Sequence, residues 1–283
     1  MEADPLAPAL FAIKLGLYGS ALLAAGLALH ASLNIVADAG YARAMRSATL
    51  ASVIAAFFAA LRLGLANVQL GGNALLDPAT LSWTWPALGP SLTAAAIGAA
   101  ALATGWRLRS RLAAGIGAVA LAISFGLTGH SQALDSPGLA PWAVALHVLI
   151  AAFWLAGPIT LWPTRDLEEA ALIRRLARFS DLAVAAVPLL FLLGLWLALL
   201  LAGGWTQLLT SLYGQLLLAK LGVASLALAL GAYNKTIVAA RLRIAPQAGR
   251  RALKLTLGLD AVLFLIALCA IAAATSLTGP PSP

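Results

Sequence analysis

The chain has 283 residues, of which 62% are hydrophobic and 10% charged, and its formal net charge is +8. A soluble domain of this length cannot bury so much apolar surface, so a soluble globular protein is excluded and a bilayer must supply apolar solvent. The basic residues form short clusters beside apolar runs, which suits anionic lipid headgroups; no basic face with interleaved aromatics exists to bind nucleic acid.

A helix crossing the hydrocarbon core needs roughly 20 apolar residues. The sequence predicts eight such spans, at about 9–30, 48–68, 88–105, 112–130, 141–162, 181–202, 214–234 and 255–277. The expected fold class is all-α, a polytopic membrane protein built as a bundle of eight transmembrane helices. It forms a single transmembrane domain (1–283), with an N-terminal four-helix half (1–130) and a C-terminal half (131–283). The start, Met1-Glu2-Ala3-Asp4-Pro5, lacks a basic n-region, so the first span is expected to be retained. Cys269 is the only cysteine, so there is no intrachain disulfide and no CxxC motif.

Fifteen of the 18 Lys and Arg residues lie in the loops after spans one, three, five and seven. The loops after spans two, four and six carry none. Basic loops stay cytoplasmic, so both termini are expected outside, which is the periplasm if the membrane is a bacterial inner membrane. The outer loop at about 69–87 holds Asp77 and the pair Trp83 and Trp85, which with Trp142 and Trp205 suit the outer headgroup layer. The segment 165–180 mixes acidic and basic residues with apolar ones at helical spacing. It reads as a surface helix at the inner interface or as a solvated connector.

The other three cations, Lys14, Arg62 and Lys220, sit inside apolar stretches. Ionisable groups in a bilayer are costly and usually face the bundle interior. His147, Lys220 and Arg62 each lie some six residues from an outer span end, a depth of roughly 9 Å. His130 closes span four at the outer mouth, and the short loop that follows makes spans four and five neighbours. His130 and His147 are therefore expected to approach each other. Tyr213, Lys220, Ala227 and Asn234 recur every seven residues, which places them near one inward stripe. Asp260 lies near the inner end of span eight, closer in depth to Asn234 than to Lys220. His30 and Lys14 read as interfacial. Each polar residue also has a plainer role: His130 as a solvated helix end, His147 as a packed ring, Lys220 and Arg62 snorkelling, and Asp260 as a helix–helix hydrogen bonder.

The stretch His147-Val-Leu-Ile-Ala-Ala-Phe-Trp154-Leu-Ala-Gly157 resembles the HLLAAAxWxGG signature of the CopD copper-resistance membrane proteins. Gly129-His130-Ser131 resembles their GHA element. Tyr213-Gly-Gln-Leu-Leu-Leu-Ala-Lys220 and Gly231-Ala-Tyr-Asn234-Lys235 are similar to their YGxxLLxK and Asn-Arg motifs, and Thr278-Gly-Pro280-Pro281 to their usual ending. The resemblance covers most of the chain, most strongly about 120–283. Asp260 stands where the family usually has a glutamate, Leu193-Gly194 replaces its Thr-Gly, and Ala156 replaces one motif glycine. The resemblance implies copper transport across the inner membrane, usually inward, with copper delivered by a periplasmic CopC-like carrier.

Imidazole nitrogen suits copper, so His130 and His147 are the expected metal ligands. Asp77, Asp135 and His30 are accessory candidates, and Arg62, Lys220, Asn234, Asp260, Trp154 and Tyr213 are supporting polar residues. Only Met1 and Met45 are present, so there is no methionine ladder for soft Cu(I). The cations near His147 suit an alternative, a haem b electron-transfer module ligated by His130 and His147 with Arg62 and Lys220 at the propionates. A third reading is a scaffold whose polar residues only fix helix packing. Transport is favoured over catalysis: no Ser–His–Asp elbow, phosphate-cradling loop or HExxH motif is present.

Overall fold

A computed structural model describes residues 5–129, 131, 132, 134, 136–164 and 167–278. The described residues are helical, with no strand among them. In chain order the helices are α1 (Ala7–Ser32), α2 (Asp38–Gln69), α3 (Pro78–Leu108), α4 (Arg111–Gly126), α5 (Ala140–Leu155), α6 (Gly157–Thr160), α7 (Glu169–Ala202), α8 (Trp205–Thr210), α9 (Leu212–Tyr233), α10 (Ala239–Ile244) and α11 (Pro246–Ala273). Two π-helical turns, Asn234–Val238 and Ala274–Thr278, prolong α9 and α11. Seven helical stretches are long and apolar enough to cross a membrane. Their outward faces carry large apolar side chains: Phe57, Leu192, Leu226 and Leu265 are each more than half exposed, as lipid contact requires.

Eight spans were expected, and the fourth is the exception. α4 has 16 residues and folds back along α3 through the two-residue turn Arg109–Ser110. Arg109 adopts the left-handed conformation that closes α3, and Ser110 caps α4 by accepting from the Ala113 N–H. The expected surface helix at 165–180 is not separate. Residues from Glu169 onward are the opening turns of α7, because no breaker lies between Glu169 and Pro188. The expected fifth span breaks at Ala156 into α5 and α6. Pro158 lacks the N–H that would bond the Trp154 carbonyl, so the regular ladder stops there.

α1 occupies the centre of the bundle. Its small residues Ala21, Ala24, Ala25, Ala28 and Ala31 are buried, and it packs on α2, α4, α5 and α11. Small side chains allow this close approach in a membrane, where packing replaces the hydrophobic drive. At Gly26 a Cβ would stand 2.0 Å from the Ala152 carbonyl oxygen. The main core cluster runs from α1 and α2 through Leu102 and α4 to Ala152 and Ala156, so packing is continuous across the boundary near residue 130.

The start of α1 and the end of α11 lie at one end of the bundle, where Lys14 donates to the Thr275 carbonyl. The basic clusters gather at the opposite end. There Arg111 bonds the Ala31 carbonyl and pairs with Asp38, and Arg178 Nε donates to the Leu33 carbonyl at 3.2 Å. Arg250 reaches the Thr164 and Leu167 carbonyls. Arg111 and Arg178 satisfy carbonyls left open at the end of α1 and complement the negative end of its dipole, while Arg250 serves the loop before α7. Trp83, Trp85, Trp142 and Trp205 are exposed at the termini-bearing end.

Gly26→Leu is expected to lower stability by about 1–3 kcal/mol or to prevent assembly, because it forces α1 and α5 apart. Gly222→Ala, with nothing within 4 Å of the new Cβ, is expected to leave stability unchanged or slightly raised. Thermal unfolding of the detergent-solubilised protein compares the two.

Candidate functional site

His147 lies on α5 and points between α7 and α9. Its Nδ1 is 3.2 Å from the Leu190 carbonyl oxygen, and its Nε2 is 3.4 Å from Lys220 Nζ. A carbonyl only accepts, so Nδ1 carries the ring proton and the Nε2 lone pair faces Lys220. Gly194 makes room for the ring: a Cβ there would stand 3.1 Å from Cε1. The residue whose replacement of a family Thr-Gly pair keeps only the glycine thus has a steric reason for that glycine.

Trp154 follows two turns later on α5, on the same face. Its indole Nε1 donates to Asp260 Oδ2 of α11 at 3.3 Å, and its ring edge packs against Gly231 of α9. Between the His147–Lys220 contact and Asp260 lies an apolar cluster of Ile150, Trp154, Val187, Leu190 and Ala227. The seven-residue stripe of α9 faces inward: Tyr213 and Ala227 are buried, Lys220 meets His147, and the Asn234 side-chain oxygen is buried. Asp260 makes no ion pair with Lys220; the one ion pair among the described residues is Arg111–Asp38.

The remaining candidates fall elsewhere. His130 and Asp135 lie outside the described residues, so the expected approach of His130 to His147 has no geometry here. Arg62 lines a cavity of about 110 Å³ among α1–α4 with Tyr18, Ser91 and Thr128, and its guanidinium is 3.4 Å from the Thr128 hydroxyl. Asp77 is an N-cap. Its two oxygens accept from the backbone N–H groups of Ala79 (2.9 Å) and Asn73 (3.1 Å), which hold its carboxyl below the usual carboxylate range. Among the described residues, no three His, Cys, Asp or Glu side chains converge as a metal cluster.

His30, in the last turn of α1, is fully buried, with Nε2 donating to the Phe153 carbonyl at 2.8 Å and Nδ1 2.6 Å from the Thr160 hydroxyl. Phe153 and Phe179 meet its ring edge-on. Both nitrogens are engaged, so the ring ties α1 to α5 and α6 and offers no lone pair to a metal. Lys14 is likewise buried. Its partner is the Thr275 carbonyl, in the π-turn that ends the last helix. Neither environment had a sequence signal, since both depend on a distant helix.

Nothing among the described residues supports a haem at His147: Lys220 Nζ stands against its Nε2, and the Arg62 cavity, smaller than the roughly 300–1,000 Å³ of a cofactor pocket, lies among other helices.

Residues 173–274 match the family model described as copper resistance protein D. The match takes in Leu190, Gly194, Lys220, Asn234 and Asp260, the walls of the site, and begins after His147 and Trp154. No curated protein and no solved structure matches the chain.

Two tests separate structural from functional groups here. His30→Ala removes the ring's bonds to the Phe153 carbonyl and the Thr160 hydroxyl and should cost about 1–3 kcal/mol, seen as a lower melting temperature, with metal binding intact. The Asp77 cap, fully formed above the ordinary carboxylate range, is lost as pH falls through the depressed value. Amide protection at Asn73 and Ala79 should drop on acidification in the native protein and be insensitive to pH in Asp77→Asn.

Proposed function

We propose that this protein carries copper across a bacterial inner membrane, from periplasm to cytoplasm, through a site built on His147. The observation that carries this reading is the ring's geometry. Nδ1 is bound to the Leu190 carbonyl, so Nε2, a nitrogen suited to copper, is directed into the α5–α7–α9 interface. The helices that wall this site, α7, α9 and α11, are those matched by the copper resistance family. Copper is cargo here: it arrives, displaces Lys220 from Nε2, and moves on.

In this reading the basic end faces the cytoplasm and both termini face the periplasm, following the distribution of Lys and Arg. α4, roughly 24 Å long at 1.5 Å per residue, is then the remaining crossing of the eight. His130 is the second ligand, supplied from the outer mouth, and a periplasmic CopC-like carrier delivers the metal. Lys220 restrains entry, because its positive charge repels a bare cation until the metal binds Nε2 in its place. The absence of a methionine ladder fits a short, imidazole-based handover.

Copper accumulation in vesicles of stated orientation tests the reading. His147→Ala should abolish inward copper flux and lower copper bound per purified chain, with folding intact. Gly194→Val, which crowds the imidazole, should reduce both in part. Undiminished uptake by a folded His147→Ala protein overturns the assignment.

A further inference from the structure

Two side-chain oxygens in the membrane-spanning bundle are buried without a hydrogen-bond partner at one level of the α9–α11 contact: Asn234 Oδ1 and Asp260 Oδ1. Asp260 as a whole is 6% exposed. Trp154 locates both residues. Its Nε1 bonds Asp260 Oδ2, and its ring rests on Gly231, one turn before Asn234 on the same face of α9. Val238, a further turn along, shares a core cluster with Leu253 and Leu257 of α11, which brings Asn234 to the level of Asp260 in these antiparallel helices. Asn234 also opens the π-turn, and such local widenings of a helix recur at functional sites.

Buried acceptors without a partner are costly in an apolar medium. A proton on Asp260 turns one of these acceptors into a donor for the other. We infer that Asp260 and Asn234 form a proton-binding site, in which a proton on Asp260 Oδ1 is donated to Asn234 Oδ1 while Trp154 holds Oδ2. Uptake forms the O–H bond of a carboxylic acid; release returns a carboxylate and sends the proton to water at the basic end. An intramembrane acid with a fixed orientation is the usual form of a proton relay. As the coupling site of transport it rests on the copper reading above; as a proton site it stands on the bundle geometry alone.

The titratable groups on the packed helices are otherwise engaged. His147 and Lys220 face each other, His30 bonds Phe153 and Thr160, Lys14 bonds Thr275, and Lys235 is exposed. None forms an ion pair with Asp260 among the described residues.

Infrared spectroscopy of the full-length protein in lipid nanodiscs, without copper, tests the site. The expected result is a carboxylic-acid C=O band that shifts in D₂O, is absent in Asp260→Asn, persists in Asp260→Glu, and moves to higher frequency in Asn234→Ala. A spectrum unaltered in Asp260→Asn overturns the inference. So does a band that ignores Asn234→Ala, which would assign the contact to a bridging water. Circular dichroism and gel-filtration elution of each variant exclude misfolding as the cause. Copper flux measured on the same variants keeps the two proposals apart: loss of flux only in His147→Ala, with the band present, leaves the proton site standing, and an absent band with normal flux removes the proton site alone.

Discussion

The last carbonyls of a helix have no partner within that helix, and side-chain cations supply one at both ends of the bundle. At the basic end, arginines close the open carbonyls. Arg111 takes that of Ala31 and Arg178 that of Leu33, both at the end of α1, while Arg175 approaches that of Thr160 and Arg250 that of Thr164. The residues that orient a membrane protein are therefore also the ones that finish its helices. At the other end Lys14 does the same for Thr275, in the π-turn that ends the last helix. Central α1 can pack on four neighbours because its two ends are held in this way and its faces carry small side chains.

The interior polar groups differ in how fully they are satisfied. His30 has both nitrogens bonded within a cage of Phe153 and Phe179, and it behaves as a structural tie. His147 has one nitrogen bonded and the other directed at a cation. Asp260 has one oxygen bonded and one orphaned. Incomplete satisfaction is expensive in an apolar medium. His147 and Asp260 lie on either side of the apolar cluster around Trp154 and Ile150.

Much of the architecture was legible in the chain. Hydropathy located seven long crossings, and heptad spacing placed Tyr213, Lys220, Ala227 and Asn234 on an inward face, because both depend only on local periodicity. Boundaries were less legible. α7 absorbs the amphipathic segment from Glu169, since mixed charge does not end a helix, and Pro158 splits the fifth span where an apolar run looked continuous. Depth arguments separated Lys220 from Asp260 correctly. They did not reveal the burial of His30 and Lys14, because distance from a span end says nothing about which neighbour covers the residue.

What the sequence by itself determined is the membrane location of the chain, its helical class and the segregation of its basic residues, all of which follow from composition and the length of apolar runs. The tertiary structure decided which histidine is a tie and which is a ligand candidate. It also decided that Arg62 belongs to a different cavity and that Asp260 answers to Trp154. The physical reason is that a polar side chain in an apolar solvent takes its chemistry from its nearest partner, and here each partner lies on another helix, dozens of residues away in the chain.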